Sequence, residues 1–149
     1  MAALVHFTPT QQVCFIRYQG VHRVDDVKLV FDELEAQAKY QSCFRFLMDL
    51  SLVTACDINK EDLRLLQSRI AGYAKGLPNP DAQPLMLAYF SPNRAGKEVG
   101  QAYTGQWNLN RYFISMTSPS LADCTLFLAV EPICTEKLSA LEFDLLPRG

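Results

Sequence analysis

A short segment near residue 91 places two cationic side chains at the predicted start of a helix. Serine followed by proline, as at Ser91 and Pro92, is typical of a helix start because serine caps the helix and proline fits its first turn. Backbone N–H groups at such a start attract anions. The candidate anion-binding residues are Ser91, Asn93, Arg94 and Lys97. The segment is not a Walker A loop, since serine stands at the first glycine position and Glu98 follows the lysine. Capping with solvated charges is therefore the simpler interpretation.

Acidic residues gather at a second predicted helix start, where Asn59 can cap the helix and Asp62 falls in its first turn. Carboxylates there stabilise the helix through its dipole, and they also form a surface that a basic partner could contact. Ser51 follows the preceding apolar run and could be modified or bind a ligand, or its hydroxyl could satisfy the turn backbone. The candidate partner-binding residues are Ser51, Asp57, Asn59 and Asp62.

The sequence contains no complete catalytic or metal-binding constellation. His6 and His22 lie away from any nucleophile motif, and the five cysteines are odd in number and include no C-x-x-C pair. Cysteines that pack as small apolar side chains are the simplest interpretation. We therefore expect no cofactor, no metal and no enzymatic activity. The alternative is a small enzyme that holds an anionic substrate at residues 91 to 97, with Cys56 or Asp57 as the reactive group.

Composition and charge favour an ordinary globular domain. Of the 149 residues, 49% are hydrophobic and 20% are charged, which is close to common usage. The 14 Lys and Arg are spread among 16 Asp and Glu, so no basic stripe is available for nucleic acid. The apolar runs are shorter than the ~20 residues that span a membrane, and the N-terminus does not resemble a signal peptide. We expect a cytoplasmic protein that binds a protein partner or a small ligand, or that forms a homodimer.

Periodicity predicts strands and helices in the order β-β-α-β-α-β-α-β-α. Apolar and β-branched runs predict strands at residues 4–7, 13–18, 44–50, 85–90 and 112–116. Helices are predicted to begin near residues 25, 59, 91 and 118, and residues 51 to 57 are predicted to form a polar turn. Gly96 and Gly100, four residues apart in the third helix, favour close packing on the sheet, with a homodimer or ligand contact as the alternative. Repeated strand-helix-strand units imply a mostly parallel sheet with one antiparallel edge.

The C-terminal extension, residues 131 to 149, is too apolar to remain in water. Thr135 can cap a short helix, and an extended stretch can follow it. We expect this extension to pack on its own domain or to bridge a dimer. Its apolar residues are Ile133, Leu138, Leu141, Phe143, Leu145 and Leu146.

Residues 48 to 57 read MDLSLVTACD, an apolar strand that ends in Asp-Leu-Ser, followed by Val and by Asp before a helix. This motif and the order of elements over residues 3 to 130 resemble the STAS domain, the anti-sigma-factor antagonist fold, and especially its SpoIIAA-like branch. The resemblance implies a single α/β domain over residues 1 to 149, with a mixed, mostly parallel sheet of about five strands and flanking helices. Residues 131 to 149 extend beyond the last helix of the family.

In bacterial signalling members of that family, a serine just after the second aspartate of the motif is phosphorylated, and the added charge controls docking of a partner. Ile58 occupies that position here and has no hydroxyl. The resemblance thus implies a non-catalytic regulatory or binding module without the phosphoserine switch. Its docking surface would be the turn after the motif strand and the helix that follows.

Overall fold

The computed structural model describes residues 3 to 78, 80, 83 to 107 and 112 to 145. These residues form an α/β domain with the predicted order of elements, and the short helix and extended stretch expected at its C-terminal end are also present. In chain order the elements are β1 (Ala3–Thr8), β2 (Val13–Arg23), α1 (Val24–Ala36), β3 (Arg45–Asp57), α2 (Lys60–Lys75), β4 (Leu85–Phe90), α3 (Arg94–Trp107), β5 (Phe113–Ser118), α4 (Leu121–Leu128), α5 (Thr135–Ala140) and β6 (Asp144–Leu145).

The strands form one mixed sheet in the order β5-β4-β3-β2-β1-β6. The strands from β2 to β5 are parallel, whereas β1 pairs antiparallel with β2 and β6 pairs antiparallel with β1. The predicted mostly parallel α/β sheet is therefore confirmed, with the two-residue β6 as an additional edge strand. Since β2 to β5 follow each other across the sheet, their connecting helices α1, α2 and α3 lie on one face.

Apolar side chains bury both faces of the sheet. On the first face, Val30 of α1, Leu66 of α2 and Tyr103 of α3 join a core with strand residues such as Leu87. The other face is covered by α4 and α5 through a second core. Its buried members are Val13, Phe15, Leu47, Ala88, Phe90, Leu121, Cys124, Leu128 and Leu138. The near-continuous apolar sequences of β3 and β4 reflect this burial on both faces.

The predicted turn over residues 51 to 57 is wrong, because β3 continues as a strand to Asp57. Its last pair with β4 is Asp49 with Phe90, but it goes on pairing with β2 up to Arg23. Register shifts accompany this extension, and Gly20 of β2 adopts a φ of +73° there. Polar residues at these positions suggested a turn, yet the neighbouring strand supplies backbone partners that keep the segment extended. We call the paired extensions, residues 19–23 and 51–57, the β2–β3 ribbon.

The C-terminal extension packs on the second face of the sheet. Leu138 of α5 is buried, and Ile133, Leu141 and Phe143 pack around the same core. The short helix begins at Thr135 with Cys134 as its N-cap residue and without a side-chain cap bond, so the expected Thr135 cap is wrong. Residues 146 to 149, including Leu146, lie outside the described residues. Among the helices that the structure describes, none has the length and apolar character needed to cross a membrane.

Candidate functional site

Ser51 lies within β3, apart from the other candidate partner-binding residues. Its N–H donates to Asp49 Oδ1 over 3.0 Å, and its carbonyl accepts from Asn93 Nδ2 over 2.8 Å. The extended chain from Ser51 to Asp57 spans about 20 Å at ~3.3 Å per residue. The structure therefore separates Ser51 from the start of α2 and joins it to the start of α3.

The start of α2 forms the predicted cap. Asn59 Oδ1 accepts from the N–H of Asp62 over 2.8 Å, and Asp62 Oδ2 accepts from the N–H of Asn59 over 3.3 Å. This reciprocal capping box satisfies two backbone donors that the helix itself leaves open. Asp57, at the end of β3, is exposed and is not a member of the box. Of these acidic and amide side chains, Asp57 is thus the one that a partner could contact without disturbing the cap.

The helix start near residue 91 is built differently from the prediction. Ser91 is buried, and its hydroxyl lies 2.8 Å from Thr117 Oγ1 while its N–H donates to the carbonyl of Ser118. The cap of α3 is Asn93, whose Oδ1 accepts from the N–H of Gly96 over 2.7 Å. The prediction that Ser91 caps this helix is therefore wrong. Because Ser91 is buried against Thr117 and Ser118, its hydroxyl does not contact the N–H groups at the start of α3.

The same two-residue offset occurs at Ser118 and Pro119, a second serine-proline pair whose sequence predicts a cap at Ser118. Ser120, and not Ser118, caps α4 by accepting from the N–H of Asp123. The hydroxyl of Ser118 instead donates to Asp123 Oδ2 and accepts from the N–H of Ser120. In both places the serine lies at or just after the end of a strand, and the residue after proline caps the helix.

The cationic side chains of the candidate anion site point into solvent. The side chain of Arg94 is 96% exposed and its Nε lies 3.9 Å from Glu98 Oε1, while Lys97 is also exposed. The N–H of Gly96 is already bound by Asn93, and the N–H of Lys97 donates to the Asn93 carbonyl. Ser91 and Asn93 thus serve the internal structure, and Arg94 and Lys97 remain on the surface.

A buried ion pair beneath the C-terminal extension was missed by the sequence analysis. Arg17 Nε lies 3.0 Å from Asp49 Oδ2, and the two side chains are 10% and 2% exposed. The guanidinium also donates to the carbonyl of Leu138 over 2.8 Å and lies 4.2 Å from the ring centre of Phe143. The available signal was a charged residue inside each of two apolar strand runs, because such charges need a partner when buried.

A second missed cluster surrounds His22 on the opposite face of the sheet. Its Nε2 lies 2.7 Å from the hydroxyl of Tyr103, and its ring packs edge-on against Tyr18. Burial lowers the pKa of His22 to about 4, so the ring is neutral near pH 7. Tyr89 stacks on Tyr103 at a centroid distance of 5.0 Å. The rings of Tyr18, Tyr89 and Tyr103 line a cavity of about 20 Å³, which is room for about one water molecule.

His22 and Cys56 are neighbours in the pairing of β2 with β3, but their chemistry does not match that of a catalytic pair. A reactive cysteine-histidine pair holds a thiolate beside an imidazolium, which requires a low thiol pKa. Here burial raises the pKa of Cys56 and lowers that of His22. Both groups are consequently uncharged near neutral pH. His22 lies in a packed interior, and Cys56 beside it is partly buried.

The β2–β3 ribbon carries an exposed apolar surface beyond the last residue of β4. Leu52 is 50% exposed, and Thr54 and Ala55 next to it are exposed. Val53, in contrast, is buried in the first core. The ribbon is therefore anchored on its inner side and open on its outer side, and Asp57 stands at its end.

Comparisons with known proteins assign no family to this chain. No protein-family model and no curated protein matches it. Among the described residues, His, Cys, Asp and Glu side chains form no group that could hold a metal ion.

Proposed function

We propose that this chain is a cytoplasmic, non-catalytic STAS-like module that binds a protein partner through the β2–β3 ribbon and the adjoining start of α2. The observation that carries the proposal is the exposure of Leu52. A half-exposed leucine on a projecting strand pair, with a carboxylate at its end, is a surface of the mixed apolar and polar kind that protein interfaces use. The partner surface would combine an apolar contact for Leu52 with a cation for Asp57.

The ribbon is held firmly enough to act as a preformed surface. Asn93 fastens its base, because one amide both caps α3 and binds the Ser51 carbonyl. A Cβ on Gly96 would lie 2.9 Å from the Leu50 carbonyl oxygen, so only glycine lets α3 approach β3 this closely. A surface that is already ordered loses less conformational entropy when it binds.

Two features support the STAS-like part of the proposal. The order of elements agrees with the family pattern, and the Asp-Leu-Ser motif lies at the point where β3 leaves β4. Ile58, at the position of the family's phosphorylated serine, is partly buried and packs against the first core. Binding in this chain would therefore be constitutive rather than controlled by phosphate at position 58.

The enzyme alternative receives less support from the geometry. An anionic substrate at the start of α3 would need convergent donors, yet Asn93 occupies the N–H of Gly96 and Arg94 extends into solvent. Cys56, the suggested nucleophile, has a raised pKa and is a neutral thiol. A protein-binding surface, in contrast, requires neither open anion-binding donors at the start of α3 nor a thiolate at Cys56.

Affinity capture from the cells that make this protein, followed by binding assays with the purified partner, tests the proposal. We expect Leu52→Asp to weaken binding of the captured protein by about ten-fold or more, since a desolvated apolar anchor commonly contributes over 1.4 kcal/mol. Asp57→Lys should weaken it as well, without loss of helix capping, because Asp57 lies outside the capping box.

Leu126→Asp provides the matched control, since Leu126 of α4 is 79% exposed and lies in a different part of the fold. This variant should bind the partner as the unchanged protein does. A partner that binds all variants equally would contradict the assignment of the surface. Turnover of a small molecule by the purified chain would contradict the non-catalytic assignment.

A further inference from the structure

The strand β5 forms an edge of the sheet with open backbone groups. The carbonyls of Tyr112 and Ser118 both accept bonds from the β4 side, from the N–H groups of Leu85 and Ser91. Backbone groups alternate in direction along a regular strand, so the residues between them at positions 114 and 116 also face β4. The N–H and C=O groups of Ser115 and Thr117 consequently face away from the sheet. No other described strand pairs with this side of β5.

This edge lacks the devices that usually prevent pairing with another chain. Natural edge strands carry lysine, proline or a bulge, or are very short. The six residues of β5 read FISMTS, without a charge, proline or glycine, and their pairing with β4 has no register shift. Ile114, the second residue of the strand, is 44% exposed. The strand is thus uncharged and regular, and its outer side is open at Ser115 and Thr117.

Ser115 adds an independent observation. Its hydroxyl is buried and has no hydrogen-bond partner among the described residues. A buried hydroxyl without a partner destabilises the fold, and natural structures rarely retain one. The hydroxyl lies on the strand whose edge is open, and because it is enclosed in the single chain, it can bond to a strand at that edge only after its side chain rotates toward the edge.

We propose that β5 pairs antiparallel with β5 of a second copy of this chain, with the two-fold axis at Met116. In this register Ser115 stands opposite Thr117 of the second copy, and both are residues whose backbone groups face outward. Each open N–H and C=O of these residues then meets a carbonyl or N–H of the other strand. Serine opposite threonine is a cross-strand pair that stabilises antiparallel sheets, and Thr117 Oγ1 can accept from a rotated Ser115 hydroxyl while it keeps its bond to Ser91.

A second copy fits this edge because the strand is compatible with itself. Antiparallel self-pairing of a charged strand sets like charges near each other, whereas FISMTS contains none. The pairing joins the two sheets into one continuous sheet. The β5 edges of both copies are then covered by the same surface, as in an isologous dimer. The β2–β3 ribbon is not part of this edge, so the dimer would present two copies of the proposed docking surface.

Sedimentation velocity of the full chain over the micromolar range tests the dimer. We expect the unchanged chain to sediment as a dimer and Ser115→Pro to sediment as a monomer. Proline at position 115 removes an N–H that faces outward and leaves the bonds to β4 in place. Ile114→Lys should also dissociate the dimer, because it places a charge on the edge. This variant tests the dimer even if the proline variant does not fold. Leu65→Lys, at a 54% exposed site on α2, should leave the dimer intact.

Amide hydrogen exchange identifies the strand involved. The N–H groups of Ser115 and Thr117 should exchange slowly in the dimer and faster in Ile114→Lys, whereas those of positions 114 and 116 remain protected in both. A chain that stays monomeric throughout the concentration range overturns the proposal. So does a dimer in which the amides of Ser115 and Thr117 exchange rapidly.

Discussion

Two buried polar pairs, on opposite faces of the sheet, depend on residues that are far apart in the chain. Arg17 and Asp49 lie side by side on β2 and β3, and Arg17 reaches the Leu138 carbonyl of the C-terminal extension. On the other face, His22 meets Tyr103 of α3. Removing one member of a buried ion pair costs about 3 to 5 kcal/mol, because the other charge is left without compensation. Arg17 therefore connects the C-terminal extension to the sheet, and His22 connects α3 to it. Both residues lie in a strand that is otherwise largely apolar.

His22 should make stability fall as the pH falls below neutrality. Its pKa is lowered from 6.5 to about 4 by burial, so the unfolded chain binds a proton between these values that the folded chain does not. Stability attributable to this group is complete above pH 6.5 and decreases down to about pH 4, by about 3 kcal/mol in all. His22→Gln, which can still bond to Tyr103, should lose this dependence.

Urea unfolding at pH 7 and at pH 4.5 measures the free energy of unfolding of the unchanged chain and of His22→Gln, and the effect is the difference between their losses. Asp26 has a pKa raised chiefly by burial, which acts in the opposite direction, but it titrates in both proteins and cancels in the comparison. We expect the unchanged chain to lose about 2 to 3 kcal/mol more than His22→Gln between the two pH values. Equal losses would show that His22 can be protonated without unfolding.

Helix α3 is positioned by glycines that allow it to touch two strands. A Cβ on Gly96 would lie 2.9 Å from the Leu50 carbonyl oxygen of β3, and one on Gly100 would lie very close to Thr117 Oγ1 of β5. The predicted packing of this glycine pair on the sheet is confirmed. Glycine inside a helix costs about 1 kcal/mol relative to alanine, and close approach of the helix to the strands offsets that cost.

Alanine at either packed glycine should destabilise the protein, and alanine at Gly105 should not. Gly96→Ala and Gly100→Ala force the helix or its neighbours to move, at an expected cost of about 1 to 3 kcal/mol. Gly105 lies in the same helix with nothing within 4 Å of its Cβ position, so alanine there should stabilise by up to about 1 kcal/mol. Chemical denaturation of the three variants distinguishes these cases. Equal effects at all three positions would mean that helix propensity alone matters.

At the scale of the whole molecule, the C-terminal extension closes the second face of the sheet. Leu138 is buried against the second core, Phe143 lies over Arg17, and His6 Nδ1 donates to the carbonyl of Glu142 over 2.6 Å. β6 then adds a strand beside β1. Contacts from residues 131 to 145 thus reach β1 and β2, the first two strands of the chain.

Removal of residues 132 to 149 should lower the melting temperature by several degrees. The truncation exposes apolar residues of the second core and takes from Arg17 both the Leu138 carbonyl and the Phe143 ring. A loss of one or two kcal/mol shifts the midpoint by roughly 3 to 8 °C in a domain of this size. Calorimetry measures the shift, and Leu138→Ala should reproduce part of it. An unchanged midpoint in the truncated chain would show that the extension contributes no stability.

Local signals in the sequence determined the order of strands and helices and the cap of α2. Hydrophobic periodicity reports on which side of an element is buried, whatever it packs against. The Asn59 cap is equally local, because its partner Asp62 is three residues away. The parallel arrangement of β2 to β5 could also be predicted, because a helix separates each of these strands from the next.

Tertiary structure alone decided how far β3 extends, which residue caps α3, and where the candidate residues lie. The polar segment after Leu50 remains a strand because β2 runs beside it, and no nearby residue in the chain indicates that partner. Ser91 is removed from the helix cap because a hydroxyl on β5 binds it. Asp49 meets Arg17, and Ser51 meets Asn93, across 32 and 42 residues of chain. Hydrogen bonds and ion pairs depend on distances of about 3 Å in the folded molecule, and spacing along a sequence does not contain those distances.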